Sequence, residues 1–264
     1  MPIGFPTPCV LLRISANGWA WGTWSIVNYL KLRRAQWILA CFLISAGVLS
    51  AFPSIDIHIS RLFFDQGFPL KEQWTHRLIH EGMAYFLCGS LGTVIGIYGY
   101  NRLWQRNIWN IDGRKVGYLL LVLILGAGLM VNVVLKDGFG RARPRDIEEF
   151  GGSRQFTPAF VIAAECDKNC SFSSGEGAGG FFSLALAAAL SRRRAALVAA
   201  VGLGVVVSWS RIASGAHFFS DTVVSFFVML IFTDALYYYM FVPKEVRQPS
   251  LAVAAVPAGG EISL

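Results

Sequence analysis

The sequence predicts an all-α protein, a polytopic membrane helical bundle of about six transmembrane helices. Three observations lead to this fold class. Hydrophobic residues make up 55% of the 264 residues, and the mean hydropathy is +0.52. Charged residues make up only 15%, whereas about 25% is usual in soluble domains. Several uncharged runs also reach the roughly 20 residues that are needed to cross a bilayer core.

Six apolar runs are the candidate spans. Three of them contain no charged residue and are long enough to cross a bilayer; they are residues 35–55, 82–101 and 116–135. The other three are shorter or contain a charge; they are residues 177–191, 195–210 and 222–242. The first two of these shorter runs reach the required length if their helices continue into the neighbouring polar residues.

The six runs define one predicted membrane domain, residues 35–242. Residues 1–34 form a predicted N-terminal segment, in the cytoplasm or at the membrane interface, where its tryptophans would lie at head-group depth. Residues 243–264 are rich in Ala, Gly and Pro. This composition predicts a disordered cytoplasmic tail.

The basic residues predict the orientation, because short cytoplasmic loops carry the excess of Lys and Arg. They cluster at four places between or beside the runs: Lys31, Arg33, Arg34, Arg102, Arg106, Arg114, Lys115, Arg192, Arg193, Arg194, Lys244 and Arg247. All four places fall on one side of the membrane, so both termini are predicted to be cytoplasmic. The loop 136–176 and the turn 211–221 then lie at the opposite, outer face. Because the net charge of +7 comes mostly from residues at the ends of apolar runs, nucleic-acid binding is not predicted.

Three groups of polar residues fall on the predicted outer side. The first follows the third run, the second opens the fourth helix, and the third separates the fifth and sixth runs. In chain order they are Lys136 and Arg143; Ser174, Gly175 and Glu176; and Arg211, His217 and Asp221. Each group alone has an ordinary explanation: interfacial anchoring for the cations, helix capping for the serine, and packing for the histidine.

The third group indicates a nucleophile. His217 and Asp221 are four residues apart, and they share a helix face if the sixth helix begins near His217. A carboxylate bonded to one imidazole nitrogen fixes the tautomer and leaves the other nitrogen as the nucleophile. Arg211 and the cations of the loop accompany this pair, so packing alone does not explain it.

Together the groups predict a phosphoryl-transfer site. The transition state of this reaction spreads negative charge over three oxygens, so cations and hydrogen-bond donors stabilise it. Lys136, Arg143 and Arg211 would supply the positive charge, while Ser174 and Gly175 would supply hydroxyl and backbone donors. Because these cations can do the work that metal ions do in other phosphatases, neither a metal nor a cofactor is predicted.

The sequence resembles the type-2 phosphatidic acid phosphatase superfamily in three motifs. They are Lys136-x6-Arg143-Pro144, Ser174-Gly175-Glu176 and Ser210-Arg211-x5-His217-x3-Asp221. The resemblance implies a membrane phosphatase that forms a phosphohistidine on His217, oriented by Asp221. It also implies that phosphate is held by four side chains: Lys136, Arg143, Ser174 and Arg211.

The second motif departs from the family pattern. The family usually has Pro-Ser-Gly-His, in which the His protonates the leaving oxygen, whereas Ser173 and Glu176 replace the Pro and the His here. The identity of the general acid is therefore open. We predict that Glu176 is the acid, and the alternative is that it is only a partner of the arginines.

A further resemblance concerns the substrate. The stretch from Gly140 to Asp146, with Phe150-Gly-Gly and Asn169-Cys-Ser-Phe172, is similar to bacterial members that dephosphorylate lipid A. Lipid A is therefore the first predicted substrate, in a bacterial inner membrane with the site facing the periplasm. Undecaprenyl pyrophosphate and phosphatidylglycerol phosphate are the alternatives. The competing hypothesis is a non-catalytic relative that binds or transports a phospholipid, which the missing motif His favours and the retained His217 and Asp221 oppose.

Two other pairs have simpler explanations. Cys166 and Cys170 lie in the polar outer loop, where a local disulfide and free thiols are both possible outcomes. His76 and His80, followed by Glu81, have the spacing of metal ligands on a helix. A catalytic metal site needs a third ligand and an open position, so we expect these histidines to pack at the membrane interface.

Overall fold

The computed structural model describes residues 21–191 and 193–243, with side chains from Arg34 onward. The first 20 residues of the predicted N-terminal segment and residues 244–264 of the predicted tail lie outside the described residues. Throughout the described ranges the chain forms helices and loops, with one isolated bridge between Ile147 and Arg154 in place of any strand. The predicted all-α class is confirmed for this part of the chain.

Eight α-helices and one long π-helix form the described part of the fold. They are α1 (Trp21–Ala51), α2 (Ser54–Arg61), α3 (Trp74–Trp104), α4 (Gly113–Leu121), which continues as the π-helix Val122–Asp137, α5 (Gly175–Phe181), α6 (Ser183–Leu190), α7 (Arg194–Ala213) and α8 (Phe219–Phe241). Short 3₁₀ turns occur at Pro69–Glu72, Ile108–Asn110, Pro144–Asp146 and Glu148–Phe150.

Five of the described helical stretches are long and apolar enough to cross a membrane; they are Arg34–Ala51, Trp74–Trp104, Gly113–Asp137, Arg194–Ala213 and Phe219–Phe241. The predicted fourth span corresponds to a shorter apolar stretch, Gly175–Leu190. It is divided at Phe182 into α5 and α6. Each of the six predicted runs therefore coincides with a helical stretch. The prediction of about six spans is consistent with the structure.

Glycines let α5 pack closely against its neighbours. A Cβ added to Gly180 of α5 would lie 3.1 Å from the Cα of Gly204 in α7. A Cβ on Gly204 would clash with the ring of Phe181. Small residues at helix interfaces allow this backbone approach in membrane proteins. The result is that α5 packs against α7, α8 and the π-helix in the buried core.

Alternating chain direction brings five helix ends to the same end of the bundle. These are the starts of α3, α5 and α8 and the ends of the π-helix and α7. Contacts between them confirm the arrangement: His76 meets Ser210, and the backbone of Ser174 meets that of Asp221. The loop between the π-helix and α5 folds over this end. It is anchored there by an apolar cluster: Phe68, Ala142, Ile147, Phe150 and Phe218.

Candidate active site

His217 lies in the turn between α7 and α8, with its side chain almost completely buried. Its Nδ1 is 2.8 Å from the carbonyl oxygen of Ser171. Because a carbonyl oxygen only accepts, Nδ1 carries the hydrogen and Nε2 has the lone pair. Asp221 Oδ2 lies 3.6 Å from Nδ1, and α8 begins at Phe219, after His217. The prediction that Asp221 makes the bond that fixes the tautomer is therefore corrected: the Ser171 carbonyl makes it, and the Asp221 carboxylate lies beside it.

The imidazole of His217 is neutral at neutral pH. Burial lowers its pKa from 6.5 to about 4, although the neighbouring carboxylate of Asp221 raises it. The positive charges of Arg143 and Arg211 lower the pKa further. A neutral imidazole with its lone pair on Nε2 is the form that can act as a nucleophile.

Asp221 is held at the start of α8 by three donors. Its Oδ2 accepts hydrogen bonds from the Ser171 hydroxyl at 2.5 Å and from the Phe218 N–H at 2.8 Å. Its Oδ1 accepts one from Arg141 at 2.6 Å. The carboxylate therefore has a fixed position beside the imidazole and links it to the loop before α5.

Arg141 and Asp56 form a buried ion pair that the sequence did not reveal. Both side chains are 1% exposed, and Arg141 Nη2 lies 2.8 Å from Asp56 Oδ2. Arg141 also donates to the Thr157 carbonyl and to the Ser220 hydroxyl, each at 2.8 Å. Asp56 accepts from the backbone N–H of Ser220 at 2.8 Å. One guanidinium thereby joins α2, the loop between the π-helix and α5, and the start of α8, and Phe218 packs under it at 4.2 Å.

The predicted cations come from three elements that meet at this end of the bundle. Lys136 is in the last turn of the π-helix, and a Cβ added to Gly175 would lie 3.5 Å from its Nζ. Arg143 donates to the carbonyl oxygen of Asn169 in the loop, at 2.8 Å. Arg211 is in the last turn of α7. Its carbonyl oxygen accepts from the N–H of His217 at 3.3 Å, which ties the turn to α7.

These cations influence one another electrostatically. Burial lowers the pKa of Arg143, and the like charges of Arg145 and Arg211 lower it further, whereas Asp146 and Glu176 raise it. Arg143 and Arg211 also lie close enough to repel the charge of Lys136. Positive charge concentrated in a partly buried site attracts an anion such as a phosphate group.

Ser174 and Gly175 occupy the start of α5, as predicted. The Ser174 hydroxyl oxygen caps the helix by accepting from the Gly177 N–H at 3.1 Å. A hydroxyl that accepts one bond still has its own hydrogen to donate. Gly175 has no room for a side chain, since a Cβ would lie 2.7 Å from Asn132 Oδ1. Its backbone therefore approaches the end of the π-helix closely.

Glu176 lies between the side chains of Arg211 and His80. Its Oε2 is 3.1 Å from Arg211 Nε, an ion pair without hydrogen-bond alignment, and its Oε1 is 3.0 Å from His80 Nδ1. His76, one turn before His80, accepts from Arg211 at 3.3 Å and contacts the Ser210 hydroxyl at 3.1 Å. His76 and His80, for which the sequence predicted interfacial packing, both contact residues of the predicted site.

Of the two outcomes left open for the cysteines of the loop before α5, the structure has the disulfide. Cys166 and Cys170 are bonded to each other, with their Cα atoms 5.6 Å apart. The bridge closes the short segment that contains Asn169, whose carbonyl oxygen binds Arg143. The disulfide thus borders the phosphate-binding region that we predict.

Comparisons with known proteins agree with the three motifs. The profile of the PAP2 superfamily matches residues 117–245. A lipid A 4'-phosphatase of Rhizobium leguminosarum is 31% identical over 209 residues, 72% of this chain and 89% of that protein. A lipid A 4'-phosphatase of Francisella tularensis subsp. novicida is 40% identical over 139 residues, 50% of this chain and 61% of that protein.

A solved structure shares the fold. It is the crystal structure of a transmembrane PAP2 type phosphatidylglycerolphosphate phosphatase from Bacillus subtilis, with a TM-score of 0.50 and 21% identity. The match covers 78% of this chain and 94% of that chain. Sequence profile, relatives and fold agree with the resemblance carried by the motifs: the chain belongs to the PAP2 superfamily.

Proposed function

We propose that this protein is a lipid phosphate hydrolase that removes phosphate from lipid A through a phosphohistidine intermediate on His217. The observation that carries the proposal is the buried, neutral His217, whose Nδ1 is committed to the Ser171 carbonyl and whose Nε2 therefore has the lone pair. A side chain that only binds a lipid head group has no need of this arrangement. The nearby positive charges supply the phosphate site.

In the proposed reaction, Nε2 of His217 attacks phosphorus as the bond from phosphorus to the lipid oxygen breaks. Lys136, Arg143 and Arg211 stabilise the negative charge on the transferring oxygens, together with the Ser174 hydroxyl and the backbone at Gly175. Once bonded to phosphorus, the imidazole becomes cationic, and the carboxylate of Asp221 at 3.6 Å stabilises that charge. Water then hydrolyses the phosphohistidine and releases inorganic phosphate.

Lipid A is the substrate we propose, because the Francisella and Rhizobium relatives are both lipid A 4'-phosphatases. Undecaprenyl pyrophosphate and phosphatidylglycerol phosphate remain the alternatives. The test is phosphate release by the detergent-solubilised protein from each lipid, with and without EDTA. We expect the highest kcat/KM for lipid A, no effect of EDTA and inhibition by vanadate.

Each unexpected result of this assay has a distinct meaning. Faster turnover of another lipid would replace lipid A as the substrate and leave the hydrolase assignment intact. A strict requirement for a divalent cation would contradict the metal-independent mechanism. The absence of phosphate release from every lipid would contradict the proposed function itself.

The proposed location is the bacterial inner membrane, with the site facing the periplasm and both termini in the cytoplasm. The test uses Ser153→Cys and Arg193→Cys, two exposed positions at opposite predicted faces. The background replaces Cys9, Cys41 and Cys88 and keeps the loop disulfide. In intact cells an impermeant maleimide should label position 153 and not position 193, and both should label after lysis. The reverse pattern would put the site in the cytoplasm.

A further inference from the structure

The proposed reaction requires a proton for the leaving oxygen of the lipid. A sugar alkoxide is a poor leaving group, so its departure needs a general acid in hydrogen-bond reach. The resemblance assigns this role to a histidine at the position that Glu176 occupies in this chain. The source of the proton is therefore undefined by the motifs and has to come from a neighbouring side chain.

Both oxygens of Glu176 already face cationic or donor groups. Arg211 Nε lies 3.1 Å from Oε2, and His80 Nδ1 lies 3.0 Å from Oε1. A carboxylate in this position balances the charge of Arg211. Because each oxygen lies beside one of these two side chains, Glu176 suits the role of a partner to a donor.

His80 has the properties that this donor needs. Its Nδ1 lies 3.0 Å from Glu176 Oε1, and an imidazole that donates a proton through Nε2 keeps its other hydrogen on Nδ1, facing that carboxylate. Nε2, on the far side of the ring, is then the nitrogen available to the substrate. The side chain is 54% exposed, compared with 24% for Glu176. His80 is thus more open than Glu176 to a substrate that binds beside them.

The neighbouring histidine is not an equivalent candidate. His76 is 8% exposed, and both of its ring nitrogens have partners, Ser210 on one side and Arg211 on the other. The two rings are parallel, with centroids 6.1 Å apart on successive turns of α3. His76 therefore orients Arg211, whereas His80 retains a nitrogen for substrate.

We propose that His80 is the general acid that protonates the leaving oxygen, and that Glu176 is the positioning residue that holds it. The proposal rests on the hydrolase function above and deepens it, because it replaces the missing motif histidine with one from another helix. A histidine on α3 and a carboxylate on α5 together occupy the place where the family motif has a histidine alone.

The proton that His80 gives up in the first step is restored to it in the second. In the first step the phosphorus–oxygen bond breaks as the bond to His217 Nε2 forms, and the proton on His80 Nε2 moves to the lipid oxygen. In the second step water attacks the phosphohistidine, and its proton returns to the now neutral His80. The second step restores the imidazolium of His80, frees His217 and releases phosphate.

The test compares two substrates whose leaving groups differ in their need for a proton. Lipid A leaves as a sugar alkoxide, whereas p-nitrophenyl phosphate leaves as a phenolate that needs no acid. We expect His80→Gln to reduce kcat on lipid A by about 10²- to 10⁴-fold, the usual contribution of a general acid. On the aryl phosphate the same variant should lose less than about 10-fold. Glu176→Gln should show the same selectivity with a smaller loss.

His58→Gln is the matched control. His58 is the exposed histidine of α2, and its Nδ1 contacts the Ser54 carbonyl oxygen of its own helix. This variant should keep wild-type rates on both substrates. Each variant is first checked for an unchanged apparent unfolding temperature and a single peak in size-exclusion chromatography, so that a folding defect is not mistaken for a catalytic one.

Three results would overturn the proposal. Wild-type turnover of lipid A by His80→Gln would exclude His80 as the acid, and a selective loss in Glu176→Gln alone would assign the acid to Glu176, as the motif spacing predicts. Equal losses by His80→Gln on both substrates would reduce His80 to a structural or binding residue. If the wild type released phosphate from the aryl substrate and from no lipid, the proposed function would fail independently of His80.

Discussion

Replacing His217 by Gln is expected to abolish phosphate release, lowering kcat by roughly 10⁴-fold or more. The glutamine side chain cannot form the covalent intermediate. It can still donate a hydrogen bond to the Ser171 carbonyl oxygen, which binds Nδ1 of His217 in the wild type. The measurement is the initial rate of phosphate release. It is paired with mass spectrometry of protein quenched during turnover, in which the wild type should carry one phosphoryl group and the variant none.

Asp221→Asn tests whether the charge of Asp221 matters independently of the tautomer of His217. Because the Ser171 carbonyl binds Nδ1, the imidazole keeps its tautomer when Asp221 loses its charge. What is lost is the stabilisation of the cationic phosphoimidazole, and we expect roughly a 10²- to 10³-fold decrease in kcat. The phosphorylated species should still form, only more slowly.

Some results with these two variants would contradict the proposed mechanism. Appreciable turnover by His217→Gln, or a phosphoryl group on another residue, would remove His217 as the nucleophile. A loss in Asp221→Asn as large as that in His217→Gln would mean that the carboxylate, rather than the Ser171 carbonyl, controls the tautomer. His58→Gln is again the control, since His58 is exposed on α2.

Arg141→Met is expected to be the most destabilising single change outside the site chemistry. It leaves the buried carboxylates of Asp56 and Asp221 without the guanidinium that lies 2.8 and 2.6 Å from them. Removing one partner of a buried ion pair costs about 3–5 kcal/mol. Asp56→Asn should cost less, because Arg141 and Asp221 remain as a balanced pair and the amide oxygen can still accept from the Ser220 N–H.

The measurement is the apparent unfolding temperature in detergent. Arg145→Met is the matched control, because Arg145 is 34% exposed and lies 3.8 Å from a half-exposed Asp146. Surface pairs of this kind contribute at most about 1 kcal/mol. We expect Arg141→Met to lower the unfolding temperature most, Asp56→Asn to lower it less, and Arg145→Met to lower it least. An unchanged value for Arg141→Met would mean that the buried network contributes nothing to stability.

The apolar runs were sufficient to predict the helical membrane class, and the three motifs were sufficient to predict the family. Hydropathy is a local property, so each run of the right length coincides with a helix in the structure. Motif spacing is local too, and it singled out His217 and the cations before any contact was known. Helix ends were less predictable: α8 begins after His217, so the spacing of His217 and Asp221 did not reveal which group bonds Nδ1.

Tertiary structure decided which polar groups act together. Asp221 bonds Ser171, 50 positions away, and Arg141 bonds Asp56, 85 positions away. The partners of His76 are 134 and 135 positions away. No periodicity or spacing encodes such contacts. They depend on which helix ends meet, and the meeting is set by close packing at glycines such as Gly180 and Gly204. A histidine at the start of α3 therefore looks like an interfacial residue in the sequence, and only the packed bundle places His80 against Glu176.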